Sequence, residues 1–415
     1  MPSTPHRILI YAELLSNIRQ VSAGCTLHTP STSGTKATVS PDGLSLTIDH
    51  DGLKEGILLP GRVTSPPQLP LPKTGSTSLS WRLPLAGTTN GRIGNASEET
   101  VPWSADDLEP ASTISCRACS AAIVNAGVLQ VWKDLPSENW AEMMEFWHCH
   151  KPDHKHGNGD GDEHLATRGY GASSRISAQP GVGFVDLTSF LLSETDVLES
   201  AVTPPVSKSM EASNGKPENS TQSTTGAENS IIHCNSCKSQ LGVRNGEASS
   251  ISLFKWQVSI NERNPQAATT TKTPSLPQCV SAMLLATMAR SGCSKSIILP
   301  MKTQSPSVPN GAQAKRSRSL LNIWVFNGNI TFSSTQDSSS PVNAVKVLYR
   351  MVSQEEAEKM LDSMTSDVQD ISLPAEATDL VIELLEKSNG FVPQSDRRFK
   401  EWTIGLLEKW NGGAG

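Results

Sequence analysis

The stretch Cys116-Arg117-Ala118-Cys119 and its later counterpart, Cys234-Asn235-Ser236-Cys237, decide how this 415-residue sequence can fold. Each Cys-x-x-Cys pair precedes a strand-like apolar segment, and such a pair leading into a hairpin is how zinc ribbons are commonly built. We predict one structural Zn²⁺ bound by Cys116, Cys119, Cys234 and Cys237, which would connect the chain across 115 residues (234 minus 119). A redox-active pair is the alternative, and a disulfide is the third reading.

A short helix is predicted between the two pairs, in Leu135–Pro152 (LPSENWAEMMEFWHCHKP). Ser137 is a suitable N-cap, and large apolar residues recur at helical spacing at Trp140, Met143, Met144 and Trp147. The helix leads into three consecutive residues of metal-binding type, His148, Cys149 and His150. A core helix followed by a polar loop would explain the tryptophans but not these three residues. The later histidines, His154, His156 and His164, belong to a predicted solvated loop.

Composition excludes several classes of protein. Only 36% of residues are hydrophobic, which predicts a sizeable share of loop or disordered linker. A net charge of −6 argues against direct nucleic-acid binding, and no apolar run is long enough for a signal peptide or a membrane span. We expect a soluble protein of the cytoplasm and nucleus. The basic cluster Lys315-Arg316-Ser317-Arg318 fits either a nuclear-import signal or a solvated loop.

The expected fold class is α+β, with two lobes rich in antiparallel β-sheet, peripheral helices, and the pair of zinc knuckles joining the lobes. The N-terminal lobe, residues 1–192, contains alternating apolar strands, the first cysteine pair and the LPSENW helix. Residues 193–230, rich in Ser, Thr, Asn, Glu and Pro, are a predicted disordered linker. The C-terminal α+β lobe, residues 231–415, contains the second pair.

Local patterns predict the elements of the last third of the chain. The predicted helices span Cys279–Arg290, Ser353 to about Met364, and Pro374 to Gly390. Predicted strands are Leu320–Phe326, Ile330–Phe332 and Val342–Val352, the first two forming a hairpin around Asn327-Gly328. A final helix would present Phe399, Trp402, Leu406 and Trp410 on one face. Cys279 and Cys293 should be inert buried thiols that flank an apolar helix, and Cys25 should lie in a polar loop.

The LPSENW segment, with the Trp147, Cys149 and His150 that follow it, resembles the HECT-like family of ubiquitin-conjugating-enzyme-binding ubiquitin ligases. The two Cys-x-x-Cys pairs lie in matching order on either side of this segment. Two further segments are also similar to the family, Asn343–Tyr349 (NAVKVLY) and Leu373–Arg398, which contains LLEKSN. The resemblance spans nearly the whole chain.

This resemblance implies two different functions. Family members are described as accepting ubiquitin from a ubiquitin-conjugating enzyme (E2) and passing it to substrates such as cyclins. They also carry a motif, here Leu135 to about Asp153, like one in a factor that inserts a cysteine into a metallo-β-lactamase-type RNA endonuclease. On that view the protein escorts the endonuclease of mRNA 3′-end cleavage, and Cys149 would be the inserted cysteine.

A ligase of the HECT type needs a thiolate nucleophile that takes ubiquitin as a thioester. In ordinary HECT ligases this cysteine lies close to the C-terminus, whereas Cys293 is the last cysteine here and 122 residues follow it (415 minus 293). Cys149 is therefore the candidate catalytic residue, with His148 and His150 placed to lower its pKa or to act as a base. An adaptor that only holds a charged E2 would need no nucleophilic cysteine.

The endonuclease-binding function uses the same residues as an interface. The helix face formed by Trp140, Met143, Met144 and Trp147 would dock in a partner groove, as amphipathic helices do. Cys149, together with His150, would then coordinate a metal in the partner's active site, for which a thiolate is well suited. We predict a ubiquitin-ligase-like function, with this non-enzymatic binding role as the alternative.

Overall fold

The structure is a computed structural model that describes residues 8–71, 75–87, 101–110, 112–135, 177–203, 229–261, 273–301, 319–337, 340–363 and 367–412. These residues form 23 β-strands and three α-helices, which confirms the predicted α+β class with antiparallel sheet predominating. None of these helices has the length and apolarity that a membrane crossing requires.

The elements follow one another along the chain in three groups. The first group consists of seven strands: β1 (Leu9–Leu15), β2 (Gln20–Thr26), β3 (Lys36–Val39), β4 (Ser45–His50), β5 (Leu53–Leu58), β6 (Gln68–Leu69) and β7 (Ser78–Pro84). The second consists of ten: β8 (Thr113–Cys116), β9 (Ala122–Val124), β10 (Val131–Asp134), β11 (Val182–Val185), β12 (Ser189–Ser193), β13 (Val202–Thr203), β14 (Ser230–Cys234), β15 (Gln240–Asn245), β16 (Ser250–Phe254) and β17 (Val258–Asn261). The third comprises α1 (Leu276–Ser291), β18 (Lys295–Pro300), β19 (Leu320–Ser334), β20 (Val342–Val352), α2 (Gln354–Leu361), β21 (Val368–Leu373), α3 (Ala375–Asn389), β22 (Arg398–Phe399) and β23 (Trp402–Glu408).

These groups fold into two compact units that are interleaved along the chain. Unit 1 comprises the described residues of Met1–Thr100, Leu276–Met301 and Lys315–Asn411, and unit 2 is built chiefly from those of Val101–Ser275. This division differs from the two consecutive lobes that the sequence suggested, because β1 pairs with β19 and thereby joins the first hundred residues to the last third. Both cysteine pairs lie in unit 2, so they join segments within one unit.

Unit 1 contains a nine-stranded sheet and a four-stranded sheet. The first has the order β22-β23-β20-β19-β1-β2-β7, with β18 pairing β19 and β21, and the second has the order β5-β4-β3-β6. A buried apolar cluster packs between them, with contributions from β1, β2 and β7 on one side and from β3 to β6 on the other. In β7 the buried residues Leu79, Trp81 and Leu83 alternate with exposed ones, as predicted for a strand with one face in the core.

The three helices of unit 1 confirm the predicted helices of the last third. Ser353 caps α2 by accepting a hydrogen bond from the backbone N–H of Glu356 at 3.1 Å. Gly390 ends α3 as expected, and α1 extends the predicted helix by a few residues at its start. Both α1 and α3 pack against β23.

The predicted hairpin at Asn327-Gly328 is wrong, because β19 runs through these residues as one strand from Leu320 to Ser334. β20 pairs with both halves of β19, and two register shifts absorb the extra residues around Asn327. A Cβ at Gly328 would lie 2.7 Å from Leu285 Cδ2 in α1. Gly328 therefore permits close packing of a helix on the sheet instead of forming a turn.

The predicted final helix is also wrong, because Trp402–Glu408 is strand β23. β23 is buried on both faces, with Leu406 in an aromatic cluster beside Tyr11 and Phe332, and Leu407 also fully buried. A strand covered on both faces carries apolar residues at adjacent positions, and such a run cannot be distinguished from a buried helix by periodicity. Of the predicted final-helix residues, Phe399 lies in β22 and is half exposed.

Unit 2 contains a seven-stranded sheet, in the order β10-β11-β12-β16-β15-β14-β13, and a three-stranded sheet, in the order β17-β8-β9. Regular secondary structure occupies both ends of the predicted linker, residues 193–230. Residues 193–203 include the end of β12, two 3₁₀ turns and β13, and Ser230 begins β14. Residues 204–228 lie outside the described part of the chain.

Candidate metal centre

The four predicted cysteine ligands lie together in unit 2. The thiol sulfurs are 3.6 Å apart between Cys116 and Cys237 and between Cys119 and Cys234, and all four lie within 4.8 Å of one another. Zn–S bonds of about 2.3 Å place the sulfurs of a tetrahedral site about 3.8 Å apart. The four thiols therefore have the spacing that a single metal ion requires.

The two cysteine pairs adopt the same local geometry. The first cysteine of each pair, Cys116 or Cys234, is the last residue of a strand and is buried, whereas the second, Cys119 or Cys237, is exposed. In each turn the backbone N–H of the residue after the second cysteine donates to the carbonyl of the first, at 2.8 Å in one pair and 2.9 Å in the other. Two independent stretches of sequence thus present their thiols in the same way.

A left-handed residue closes each turn. Ser120 has φ of 61° and Lys238 has φ of 64°, a conformation that non-glycine residues adopt only at some cost. One position further on, the backbone N–H groups of Ala121 and Ser239 donate to the thiols of Cys119 and Cys237. The left-handed turn therefore directs backbone donors at the sulfurs, where they stabilise thiolates.

Neighbouring segments hold each pair in position. Arg117 donates from its side chain to the carbonyls of Trp256 and Pro274, at 3.3 and 2.9 Å, and its backbone N–H donates to Gln257 at 3.0 Å. In the second pair, Asn235 donates to the carbonyl of Ala201 at 2.8 Å from its backbone and to that of Ser200 at 3.2 Å from its side chain. The variable positions of each Cys-x-x-Cys motif thus anchor it to a different part of unit 2.

The thiols differ in acidity when no cation is present. Burial raises the pKa of the Cys116 thiol to about 12, whereas hydrogen bonds from the Ser239 hydroxyl and backbone N–H lower the pKa of the Cys237 thiol to about 6. Cys237 is then largely a thiolate at neutral pH, and a divalent cation bound at the cluster would deprotonate the others. The four soft sulfur donors fit Zn²⁺.

The predicted helix and the residues that follow it lie outside the described part of the chain. This concerns the predicted partner-binding and catalytic residues and the nearby histidines: Trp140, Met143, Met144, Trp147, His148, Cys149, His150, His154, His156 and His164. The ends of this segment are nevertheless described. β10 and β11 are adjacent parallel strands, and the backbone N–H of Leu135 donates to the carbonyl of Val185 at 2.8 Å. The segment therefore leaves and re-enters the seven-stranded sheet at neighbouring strands.

The remaining described cysteines do not offer an exposed nucleophile. Cys25 lies in β2 and is fully buried, so its predicted position in a polar loop is wrong, and burial raises the pKa of its thiol to about 12. Cys279 is also buried, which agrees with the prediction of an inert thiol. Cys293 is half-buried and lies 3.7 Å from the side-chain nitrogen of Gln369.

A second group of side chains of the types that bind metals was not predicted from the sequence. His28, His50 and Asp51 of unit 1 bring three ligand atoms within 4.8 Å of one another. The adjacent pair His50-Asp51 is a weak signal in the sequence, and His28 joins it only because β2 and the β4–β5 hairpin fold together.

Comparison with known proteins gives a family and two relatives. A family profile described as HECT-like ubiquitin-conjugating enzyme (E2)-binding matches residues 13–404. An uncharacterized protein of Schizosaccharomyces pombe is 25% identical over 327 residues, covering 76% of this chain and 79% of the relative. An uncharacterized protein of Saccharomyces cerevisiae is 24% identical over 377 residues, covering 87% and 88%. No solved structure matches significantly.

Proposed function

This chain belongs to the family of HECT-like ubiquitin-conjugating enzyme (E2)-binding proteins, and we propose that it binds a charged E2 and promotes transfer of ubiquitin to a protein substrate. The match over residues 13–404 is the observation that carries this proposal, because it includes both cysteine pairs and nearly all of the two units. Cyclin-type proteins are the substrates that the resemblance suggests.

The cysteine cluster is proposed to hold one structural Zn²⁺. Four thiolates would complete a tetrahedral shell and leave no open position for a substrate or a water molecule. The ion would hold the ends of β8 and β14 together, and so it would connect the two sheets of unit 2. Its role is thus to stabilise the scaffold that binds the partner.

Two mechanisms of ubiquitin transfer are compatible with this scaffold. In the covalent mechanism the Cys149 thiolate attacks the carbonyl of the E2–ubiquitin thioester, the E2 thiolate leaves, and a substrate lysine amine then displaces Cys149. In the adaptor mechanism the substrate lysine attacks the E2 thioester directly. Among the described cysteines, those outside the cluster are buried or half-buried, so the covalent mechanism depends on Cys149.

Single-turnover discharge of charged E2s tests the proposal. A panel of E2s carrying fluorescent ubiquitin is mixed with the wild-type chain, with Cys149→Ala, or with Cys293→Ala as the matched control. We expect at least one E2 to bind the wild-type chain and to lose its ubiquitin faster in its presence. A thiol-labile ubiquitin adduct absent only from Cys149→Ala supports the covalent mechanism, whereas equal discharge by all three chains supports the adaptor.

The alternative function, binding of the metallo-β-lactamase-type endonuclease of mRNA 3′-end cleavage, is the second candidate. The described cysteines outside the cluster are buried or half-buried, and a binding factor needs no catalytic thiol, which supports this candidate. If no E2 binds and no discharge occurs, ubiquitin transfer is refuted. Co-purification of the endonuclease with the wild-type chain but not with Cys149→Ala would then support the binding role.

A further inference from the structure

The group of His28, His50 and Asp51 lies in unit 1, at the end of the β4–β5 hairpin. His50 is the last residue of β4, and Asp51 begins the turn, where Asp51 and Gly52 both have positive φ, of 49° and 76°. His28 lies in the loop that follows β2. The Asp51 carboxylate oxygen Oδ2 is 3.3 Å from His50 Nε2 and 4.0 Å from His28 Nε2.

His50 is held in place by two threonine hydroxyls. Its side chain is fully buried, with Nδ1 2.9 Å from Thr35 Oγ1 and Nε2 2.8 Å from Thr29 Oγ1. Thr35 Oγ1 also accepts a hydrogen bond from the backbone N–H of Thr32 at 2.9 Å, which fixes its position. A histidine that binds a metal through one ring nitrogen typically donates a hydrogen bond from the other to a nearby oxygen. Thr35 Oγ1 can accept such a bond from His50 Nδ1.

The other two side chains give the group an open side. Thr29 Oγ1 lies 2.5 Å from Asp51 Oδ2, so this hydroxyl lies between the carboxylate and His50. The His28 side chain is 18% exposed and that of Asp51 is 43% exposed, in contrast to the buried His50. The two imidazole rings have their centroids 5.3 Å apart at an interplanar angle of 64°. One fully buried, one partly buried and one exposed side chain thus converge on one place.

We propose that His28, His50 and Asp51 bind a divalent first-row transition-metal ion, at a site separate from the cysteine cluster. With metal–ligand bonds of about 2.1 Å, neighbouring ligand atoms lie about 3.0 to 3.4 Å apart in octahedral or tetrahedral geometry. The His50–Asp51 distance already has this value, and His28 Nε2 needs to approach the Asp51 oxygen by about 1 Å or less. Two imidazoles and one carboxylate leave open positions for water or a small anionic ligand.

This site differs chemically from the cysteine cluster. Nitrogen and oxygen donors suit Zn²⁺, Co²⁺, Ni²⁺ or Mn²⁺, and an incomplete protein shell favours exchange with solvent. The ion would replace the hydrogen bond between Thr29 and His50 and would join the β4–β5 hairpin to the loop after β2. We therefore expect it to stabilise this part of unit 1.

Equilibrium dialysis of the untagged full chain against Zn²⁺, followed by metal analysis, tests the proposal. Asp51→Asn and His28→Ala should each hold one equivalent fewer than the wild-type chain, or bind that equivalent at least about tenfold more weakly. Asp49→Asn changes an exposed carboxylate of the same hairpin and should leave the zinc content unchanged. Circular dichroism of each variant verifies that it is folded.

Two outcomes would overturn the site. If the wild-type chain and Asp51→Asn hold equal zinc at every concentration, His28, His50 and Asp51 form only a hydrogen-bonded turn. If the weaker equivalent is lost in a His154→Ala, His156→Ala double variant but kept in Asp51→Asn, the ion binds to those two histidines instead. A zinc-dependent rise in the melting temperature that Asp51→Asn abolishes is the supporting second readout.

Discussion

Removal of the proposed Zn²⁺ from the cysteine cluster should unfold unit 2 and leave unit 1 folded. Holding Cys119 and Cys234 together closes a loop of 115 residues, which costs about 4 kcal/mol of chain entropy at 1.5RT per unit of ln n. Structural zinc contributes about 10–16 kcal/mol in small zinc-binding peptides, so about 6–12 kcal/mol remains after loop closure. This remainder matches the total stability of an ordinary domain, about 5–15 kcal/mol. Unit 2 should therefore not stay folded without the ion.

Calorimetry with and without a tight zinc chelator measures this effect. The chelated wild-type chain, and Cys234→Ser without chelator, should lose one melting transition and keep another. Limited proteolysis with mass spectrometry then identifies the unfolded part, and cleavage should fall between residues 101 and 275. Cys293→Ser is the matched control, because Cys293 is half-buried and lies outside the cluster.

An unchanged melting curve in chelator, with zinc shown to be removed, would refute the argument that the ion contributes to folding. Loss of both transitions together would refute the independence of the two units. Less than one zinc ion per wild-type chain, with native stability, would remove the basis for the site altogether.

Two further predictions concern the reactivity of thiols and the pairing of charges. Cys25 is fully buried, and burial raises the pKa of its thiol to about 12, so it should resist iodoacetamide at pH 8, whereas the exposed Cys237 thiol should react once chelator is added; equal labelling by mass spectrometry would contradict this. Glu13→Gln should cost about 3 kcal/mol of unfolding free energy, because it leaves the mostly buried Lys346 ammonium, 2.7 Å away, without its counter-charge. Asp367→Asn, which breaks an exposed pair, should cost less than about 1 kcal/mol in the same denaturant titration.

The cysteine cluster could be predicted from the sequence because its signal is local. Each pair has a fixed spacing, and the turn that it forms depends on a few adjacent residues. The same holds for the N-cap at Ser353 and the helix end at Gly390, where the side chain or the glycine acts on its own turn. Motifs of this kind can be recognised from adjacent residues in the sequence, without knowledge of the tertiary structure.

The features that could not be predicted from the sequence depend on contacts between residues far apart in the chain. Tyr11 pairs with Ser334 across more than 300 residues, and no local pattern indicates which strand will be the neighbour of β1. Gly328 looks like a turn residue until the helix that packs on it is known. The group of His28, His50 and Asp51 likewise requires the loop after β2 to fold against a hairpin, so its residues are uninformative when read separately.

The pairing of β1 with β19 has a consequence for synthesis of the protein on the ribosome. Between the end of β1 at Leu15 and the start of β19 at Leu320, 305 residues must be translated (320 minus 15). At about 5–20 residues per second this takes about 15–60 s. Throughout that interval one edge of β1 lacks its neighbour, while residues 101–275, which form most of unit 2 and include both cysteine pairs, are synthesised. The newly made chain thus exposes an unpaired strand edge for tens of seconds, a state in which nascent proteins depend on chaperones.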